Sequence, residues 1–219
     1  MTKMTGGQAV VQALQAENVS HVFGLIGSAG MEIFDALFDA PSIKFIGVRD
    51  ERTGVHMADG YARASGRAGV FLAGQNGPGA TNLVTGLAQA LAAYSPVVAL
   101  AGSLSSAHIY RDAFQEVDQQ SLFKPITKKT WTLTQTSRIP EMMREAFSTA
   151  LTARRGPVVL NLPRDLLAET ADISDEKNRL KLSKKDLDVL ENLPINKSSP
   201  RIMDLLISLL EIQILMIIS

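Results

Sequence analysis

The chain has 219 residues, 46% of them hydrophobic, with 22 Lys plus Arg balanced by 22 Asp plus Glu and no cysteine. That balance leaves no basic field to draw nucleic acid or anionic lipid, and the missing cysteines exclude disulfides and thiolate metal sites. A chain this long buries one sizeable core, or one domain and a tail, and its cysteine-free composition is the one expected of a cytoplasmic protein.

Gln8, Gln12, Gln15 and Glu17 break up the apolar residues near the start, so no secretory leader is expected. Beyond them, short apolar runs rich in β-branched residues alternate with segments of helical period, the pattern of a parallel sheet covered by helices. A helix is predicted over Thr5 to Glu17, then a strand over His21 to Ile26, a helix over Met31 to Phe38 and a strand over Ile43 to Val48. A helix over Gly54 to Ala64, a strand over Gly69 to Ala73, a helix over Ala80 to Ala93 and a strand over Pro96 to Ala101 follow. Trp131 to Leu133 adds a shorter strand, Ile139 to Ala153 a helix and Val158 to Leu162 a last strand. The expected fold class is α/β, a three-layer sandwich with a mostly parallel sheet flanked by helices, over residues 1–170.

Residues 171–199 are expected to form a linker, within which Ser174 to Asn196, rich in Lys, Asp and Asn, reads as linker or solvated helix. In the apolar tail, residues 200–219, Asp204, Ser208, Glu211 and Gln213 interrupt the roughly 18 apolar residues that a membrane helix needs. The tail is expected to begin a truncated middle domain that would cover its apolar faces.

In a parallel α/β sheet, ligands collect at the carboxyl ends of the strands, so the loops there carry the search. The first, Gly24 to Gly30, has glycines that allow close backbone approach to a flat ligand, and serves equally as a plain strand-to-helix turn. The second offers Glu51 where a strand gives way to a helix. Such a carboxylate either points into a crevice and is desolvated there, or simply complements the dipole of the helix it starts. The third, Gly74 to Asn82, resembles a phosphate cradle, but it lacks both the dinucleotide fingerprint and the Gly-Lys-Ser/Thr of a P-loop, and its backbone suits a ring better. His21, His56 and His108 are scattered without metal-ligand spacing. No serine sits in a Gly-x-Ser-x-Gly elbow, and Trp131 has no interleaved basic residues of the nucleic-acid-binding kind.

Read together, Phe23 to Ile33, Arg49 to Gly66 (RDERTGVHMADGYARASG), Asn76 to Thr85 (NGPGATNLVT), Asp112 to Glu116 (DAFQE), Ile126-Thr127-Lys128 and Arg154 to Pro163 (RRGPVVLNLP) form an ordered set. This set resembles the pyrimidine-binding (PYR) domain of thiamine-diphosphate enzymes of the acetolactate synthase group, over about Met4 to Leu167. The resemblance implies that Glu51 hydrogen-bonds the aminopyrimidine of thiamine diphosphate and starts the proton relay that activates it for 2-keto acid decarboxylation and carboligation. It implies further that Gly27, Pro78 and Asn82 line the cofactor, that Phe114, Gln115 and Lys128 lie on the substrate side, and that Arg154 meets FAD. Arg155 stands where a proline commonly follows that arginine, Ile26 where the synthases commonly have proline, and Gln75-Asn76 where Thr-Ser is more familiar. Gln75-Asn76-Gly77-Pro78-Gly79 is similar to sulfoacetaldehyde acetyltransferase, a sister family.

The family's Gly-Asp-Gly and Asn-Asn diphosphate motif does not occur in the 219 residues. The resemblance therefore implies that Mg²⁺ and the diphosphate are held by a diphosphate-binding domain of a second chain, in a homo- or hetero-oligomer, and that this chain alone is inactive. Two further readings stay open: a non-catalytic assembly module that pairs with a full-length relative, and a small nucleotide-binding protein using the Gly74 to Gly79 loop.

Overall fold

In the computed structural model, which describes residues 2–173, the chain opens with strand β1 (Thr2–Thr5) and runs directly into helix α1 (Gly6–Ala16). Thr5 makes the junction. Its hydroxyl accepts from Gln8 N while the Gln8 side chain accepts from Thr5 N, a reciprocal capping box that satisfies two otherwise unpaired amides.

Strand and helix then alternate through β2 (His21–Leu25), α2 (Met31–Phe38), β3 (Lys44–Gly47), α3 (Glu51–Ser65) and β4 (Gly69–Ala73). Helix α3 begins three residues before the predicted Gly54, because the Asp50 side chain accepts from Arg52 N at 2.8 Å and caps it there. It ends at Gly66, whose φ of 72° is left-handed. The helix predicted over Ala80 to Ala93 is divided into α4 (Pro78–Thr81) and α5 (Leu83–Ala92), with Asn82 at near-helical angles between them.

The second half comprises β5 (Val97–Ser103), α6 (Gln119–Phe123), β6 (Lys129–Thr132), α7 (Ile139–Leu151), β7 (Val158–Pro163), α8 (Arg164–Ala168) and β8 (Thr170–Ile173). Six strands form one sheet in the order β3-β2-β4-β5-β7-β6, parallel throughout. Strand period sorts the core onto its two faces. Val70, Leu72, Val98, Leu100, Val158 and Leu160 meet Leu14, Ile33 and Met143 from α1, α2 and α7. Phe71, Ala73, Val97, Ala99 and Val159 meet Val55, Leu83 and Leu87 from α3 and α5. This is the expected three-layer α/β sandwich.

A second, two-stranded sheet pairs β1 with β8 antiparallel, Thr2 opposite Ile173. Residues 171–173, expected in the linker, therefore belong to a paired strand. The remainder of the expected linker and the expected apolar tail lie outside the described residues.

Candidate functional site

The order of the sheet places its switch point between β2 and β4: the chain leaves β2 toward β3 on one side and reaches β4 on the other. Outside the carboxyl ends of two such strands lies a crevice, the usual ligand position in an open parallel sheet. Gly27 follows β2 and Gly74 follows β4, and their backbones touch. A Cβ on Gly27 would lie 2.5 Å from Gly74 C and 2.6 Å from Gln75 N, so the two loops meet only because residue 27 has no side chain.

Glu51 stands in the first turn of α3, next to the carboxyl end of β3, and is 6% exposed. Its Oε2 accepts from Asn82 Nδ2 at 2.9 Å, and a Cβ on Gly79 would lie 3.1 Å from its Oε1. The two readings of Glu51 thus coincide in one residue: it begins a helix, and it is a buried carboxylate with one oxygen held and the other beside bare backbone. Pro78 opens α4 at its first position and is exposed beside it.

The loop after β5 completes this edge. Gln115 reaches back to Gln75 with its Oε1 2.6 Å from Gln75 Nε2, and its neighbour Phe114 is 84% exposed. Tyr110, Asp112 and Gln115 all have positive φ, and Glu116 braces them by accepting from Tyr110 N at 2.6 Å and Ala113 N at 3.0 Å. Those two amides, Ala113 foremost, hold the Glu116 carboxyl below its ordinary range.

Glu51, Gly27, Pro78, Asn82, Phe114 and Gln115 are therefore gathered at the carboxyl edge. Lys128 and Arg154 are not. Lys128 immediately precedes β6 and Arg154 precedes β7, which puts both at the amino edge of the parallel sheet. The Lys128 ammonium donates to the carbonyls of Thr152, at 3.0 Å, and Thr149, where it neutralises the negative end of α7. Lys128, expected on the substrate side, thus stands away from Phe114 and Gln115. The Arg154 guanidinium stacks 4.6 Å from the Tyr94 ring centroid and donates to the Tyr94 hydroxyl. Arg155 shares a shallow pocket with them.

Gln75, Ser28 and Glu116 lie in segments the sequence singles out, but the sequence assigned none of them a role at this edge. The amide pair Gln75-Asn76 before Gly-Pro-Gly was the only local signal for the first. His21 hydrogen-bonds Ser20 Oγ at 2.9 Å, whereas His56 and His108 are exposed, and among the described residues no cluster of His, Cys, Asp and Glu forms a metal site.

Fold and site together define a parallel α/β ligand-binding domain with one buried carboxylate at the switch-point edge. The family described as "Thiamine pyrophosphate enzyme, N-terminal TPP binding domain" matches residues 4–122, and the chain belongs to that family. It is 46% identical over 170 residues to a probable acetolactate synthase large subunit of Methanocaldococcus jannaschii, covering 78% of this chain and 28% of the relative. In Escherichia coli K12 it is 44% identical over 170 residues to the acetolactate synthase isozyme 2 large subunit, covering 78% and 31%. It is 42% identical over 167 residues to the isozyme 3 large subunit, covering 76% and 29%. The chain thus spans under a third of the length of these curated relatives. Among its described residues, no helix is long and apolar enough to cross a membrane.

Proposed function

We propose that this chain supplies the pyrimidine-binding half of a thiamine-diphosphate site whose other half is the diphosphate-binding domain of a second chain. The observation that carries the proposal is Glu51, 6% exposed, with Oε2 held by Asn82 and Oε1 facing Gly79. The residues fit the ring: Glu51 Oε1, beside the bare backbone of Gly79, is left to accept from a ring nitrogen, and the missing side chain of Gly27 lets the loops after β2 and β4 close together beneath it.

Thiamine diphosphate, when bound, supplies an electron sink for decarboxylating a 2-keto acid and joining the fragment to a second carbonyl. Glu51 would hold the ring through Oε1 and exchange a proton there. Asn82 keeps the carboxylate from rotating away, and Phe114 and Gln115 border the substrate. By analogy with the named relatives, the reaction is two pyruvate to acetolactate plus CO2. The similarity of Gln75 to Gly79 to sulfoacetaldehyde acetyltransferase favours that sister activity as the second reading.

Mg²⁺ is assigned to the diphosphate-binding domain. The Arg154, Arg155 and Lys128 corner has the charge to meet a phosphate of FAD, but it lies at the sheet edge opposite Glu51 and takes no part in the proton chemistry. The relatives' designation as large subunits supports pairing with other chains. A cytoplasmic location fits the cysteine-free sequence.

Isothermal titration with thiamine diphosphate and Mg²⁺ tests the proposal, on the chain alone and mixed with a diphosphate-binding domain of the family. Strong binding and carboligase activity in the mixture, both lost or sharply reduced in Glu51→Gln, are expected. A mixture that binds and turns over equally well with Glu51→Gln would remove Glu51 from the mechanism.

A further inference from the structure

Gln75 ties together three loops of the carboxyl edge. Its Oε1 accepts from Ser28 N and Ser28 Oγ, each at 3.1 Å, in the loop after β2. Its Nε2 donates to Asn76 Oδ1 at 3.1 Å, and to Gln115 Oε1 at 2.6 Å in the loop after β5. Asn76, 7% exposed, donates from Nδ2 to the Gln115 carbonyl at 3.2 Å.

Side-chain amides are ambiguous on their own, because oxygen and nitrogen have nearly the same shape. Here main-chain groups at both ends remove the ambiguity. A backbone N–H only donates, so the Gln75 atom facing Ser28 N is oxygen; a backbone carbonyl only accepts, so the Asn76 atom facing Gln115 O is nitrogen. It follows that Gln75 turns its nitrogen toward Asn76 Oδ1 and Gln115, and that the Gln115 atom meeting it is Oε1. Flipping any one of the three amides would set two donors or two acceptors against each other.

The free end of this relay is Gln115 Nε2. It takes no acceptor among the described residues, and it is not one of the buried unpaired atoms, so it is open to a ligand. Gly77 secures the arrangement: at φ 55° its backbone passes so close that a Cβ would lie 2.2 Å from Gln115 O.

We infer that Gln75 is a positioning residue that fixes the direction of the Gln115 amide, so that Gln115 presents an N–H donor to an anionic oxygen of a small substrate, a carboxylate or a sulfonate. The inference rests on the reading of Phe114 and Gln115 as the substrate side.

Two measurements test it. In the first, side-chain amide exchange is followed by NMR on the isotopically labelled chain. The Gln75 amide protons, both donated, exchange slowly, and those of Gln115 exchange fast. In Gln75→Glu, which keeps the acceptor for Ser28 and loses both donors, the Gln115 amide signals shift. Protected Gln115 protons beside fast Gln75 protons would overturn the polarity.

The second measurement uses the complex with a diphosphate-binding domain. Gln115→Glu keeps an oxygen against Gln75 Nε2 but turns the outward donor into a carboxylate oxygen. KM for pyruvate, or for sulfoacetaldehyde if that is the substrate turned over, rises roughly tenfold or more. Thiamine diphosphate affinity and thermal midpoint stay at the parent values. Unchanged KM in Gln115→Glu, with activity still abolished by Glu51→Gln, would overturn the inference and leave the functional proposal standing. A parent complex without activity would overturn the functional proposal and the substrate assignment together, while the exchange rates still decide the role of Gln75.

Discussion

Asn82 Nδ2 lies 2.9 Å from Glu51 Oε2, and this one bond ties the start of α3 to the junction between α4 and α5. The bond explains why a residue with near-helical angles separates two helices: Asn82 serves Glu51 with its side chain while its backbone continues the helical path. Asn82→Ala leaves the 6%-exposed carboxylate without this donor. A lost hydrogen bond to a buried polar group costs about 1–3 kcal/mol, so the urea midpoint of the variant falls. An unchanged midpoint would mean that water replaces the amide without loss.

Gly54 and Gly60 lie on the same helix, α3, and differ only in what faces them. A Cβ on Gly54 would lie 2.1 Å from the Phe71 ring, which is fully buried, whereas nothing lies within 4 Å of a Cβ on Gly60. Gly54→Ala is expected to destabilise by about 1–3 kcal/mol through overpacking. Gly60→Ala is expected to stabilise by roughly 0.5–1 kcal/mol, because alanine loses less backbone entropy in a helix. Thermal or urea unfolding of the two variants beside the parent checks both signs. The same sign for both would show that helix propensity, not the Phe71 contact, dominates at position 54.

The parts of the fold legible in the sequence are those whose signal is local. Gly69–Ala73 and Met31–Phe38 have the predicted bounds, because each is an apolar run or repeat closed by a turn residue on both sides. β1 and β8 were not legible: TKMT and TADI are short and largely polar, and they become strands only by pairing from opposite ends of the described chain. The candidate site divides in the same way. The loops that hold Glu51, Gly27 and Asn82 could be placed because each follows a recognisable strand, and the family resemblance singled out the three residues within them. Gln75 could not, because its role depends on three loops converging. The separation of Lys128 from Phe114 and Gln115 was not legible either, because α6 carries the chain from the carboxyl edge to the amino edge between them.

Asp59 pairs with Arg63 one turn along α3, with N–O distances of 2.8 and 2.6 Å. Burial pushes the Asp59 carboxyl up, but the Arg63 guanidinium, with smaller help from Ser95 and His56, holds it below its usual value overall. A folded-state value lowered in this way contributes stability above the unfolded value of about 3.9, and the contribution is lost as pH falls through the lower folded value. Arg63→Met keeps the apolar stem and removes the charge. Its urea midpoint is expected below that of the parent at pH 7, with the gap narrowing as the pH is taken below about 4. A gap of equal size in acid would assign the loss to packing instead.

Glu116 braces the loop that carries Phe114 and Gln115. Its two carboxylate oxygens accept from Tyr110 N and Ala113 N, across a segment where Tyr110, Asp112 and Gln115 hold left-handed angles that non-glycine residues rarely adopt. A glutamine has one acceptor oxygen, so Glu116→Gln satisfies one amide and sets an N–H against the other. The exposed Arg111 between them is a trypsin site, and cleavage after it is expected to be faster in the variant than in the parent. Because the folded-state value of Glu116 is lowered, its brace is present above the ordinary glutamate value of about 4.3 and fades as pH falls through the lower folded value. Protection of the Tyr110 and Ala113 amides from hydrogen exchange is therefore expected to hold at neutral pH and to weaken in acid. Equal cleavage rates in parent and variant would show that the left-handed turn is held by Gly77 and Gln75 alone.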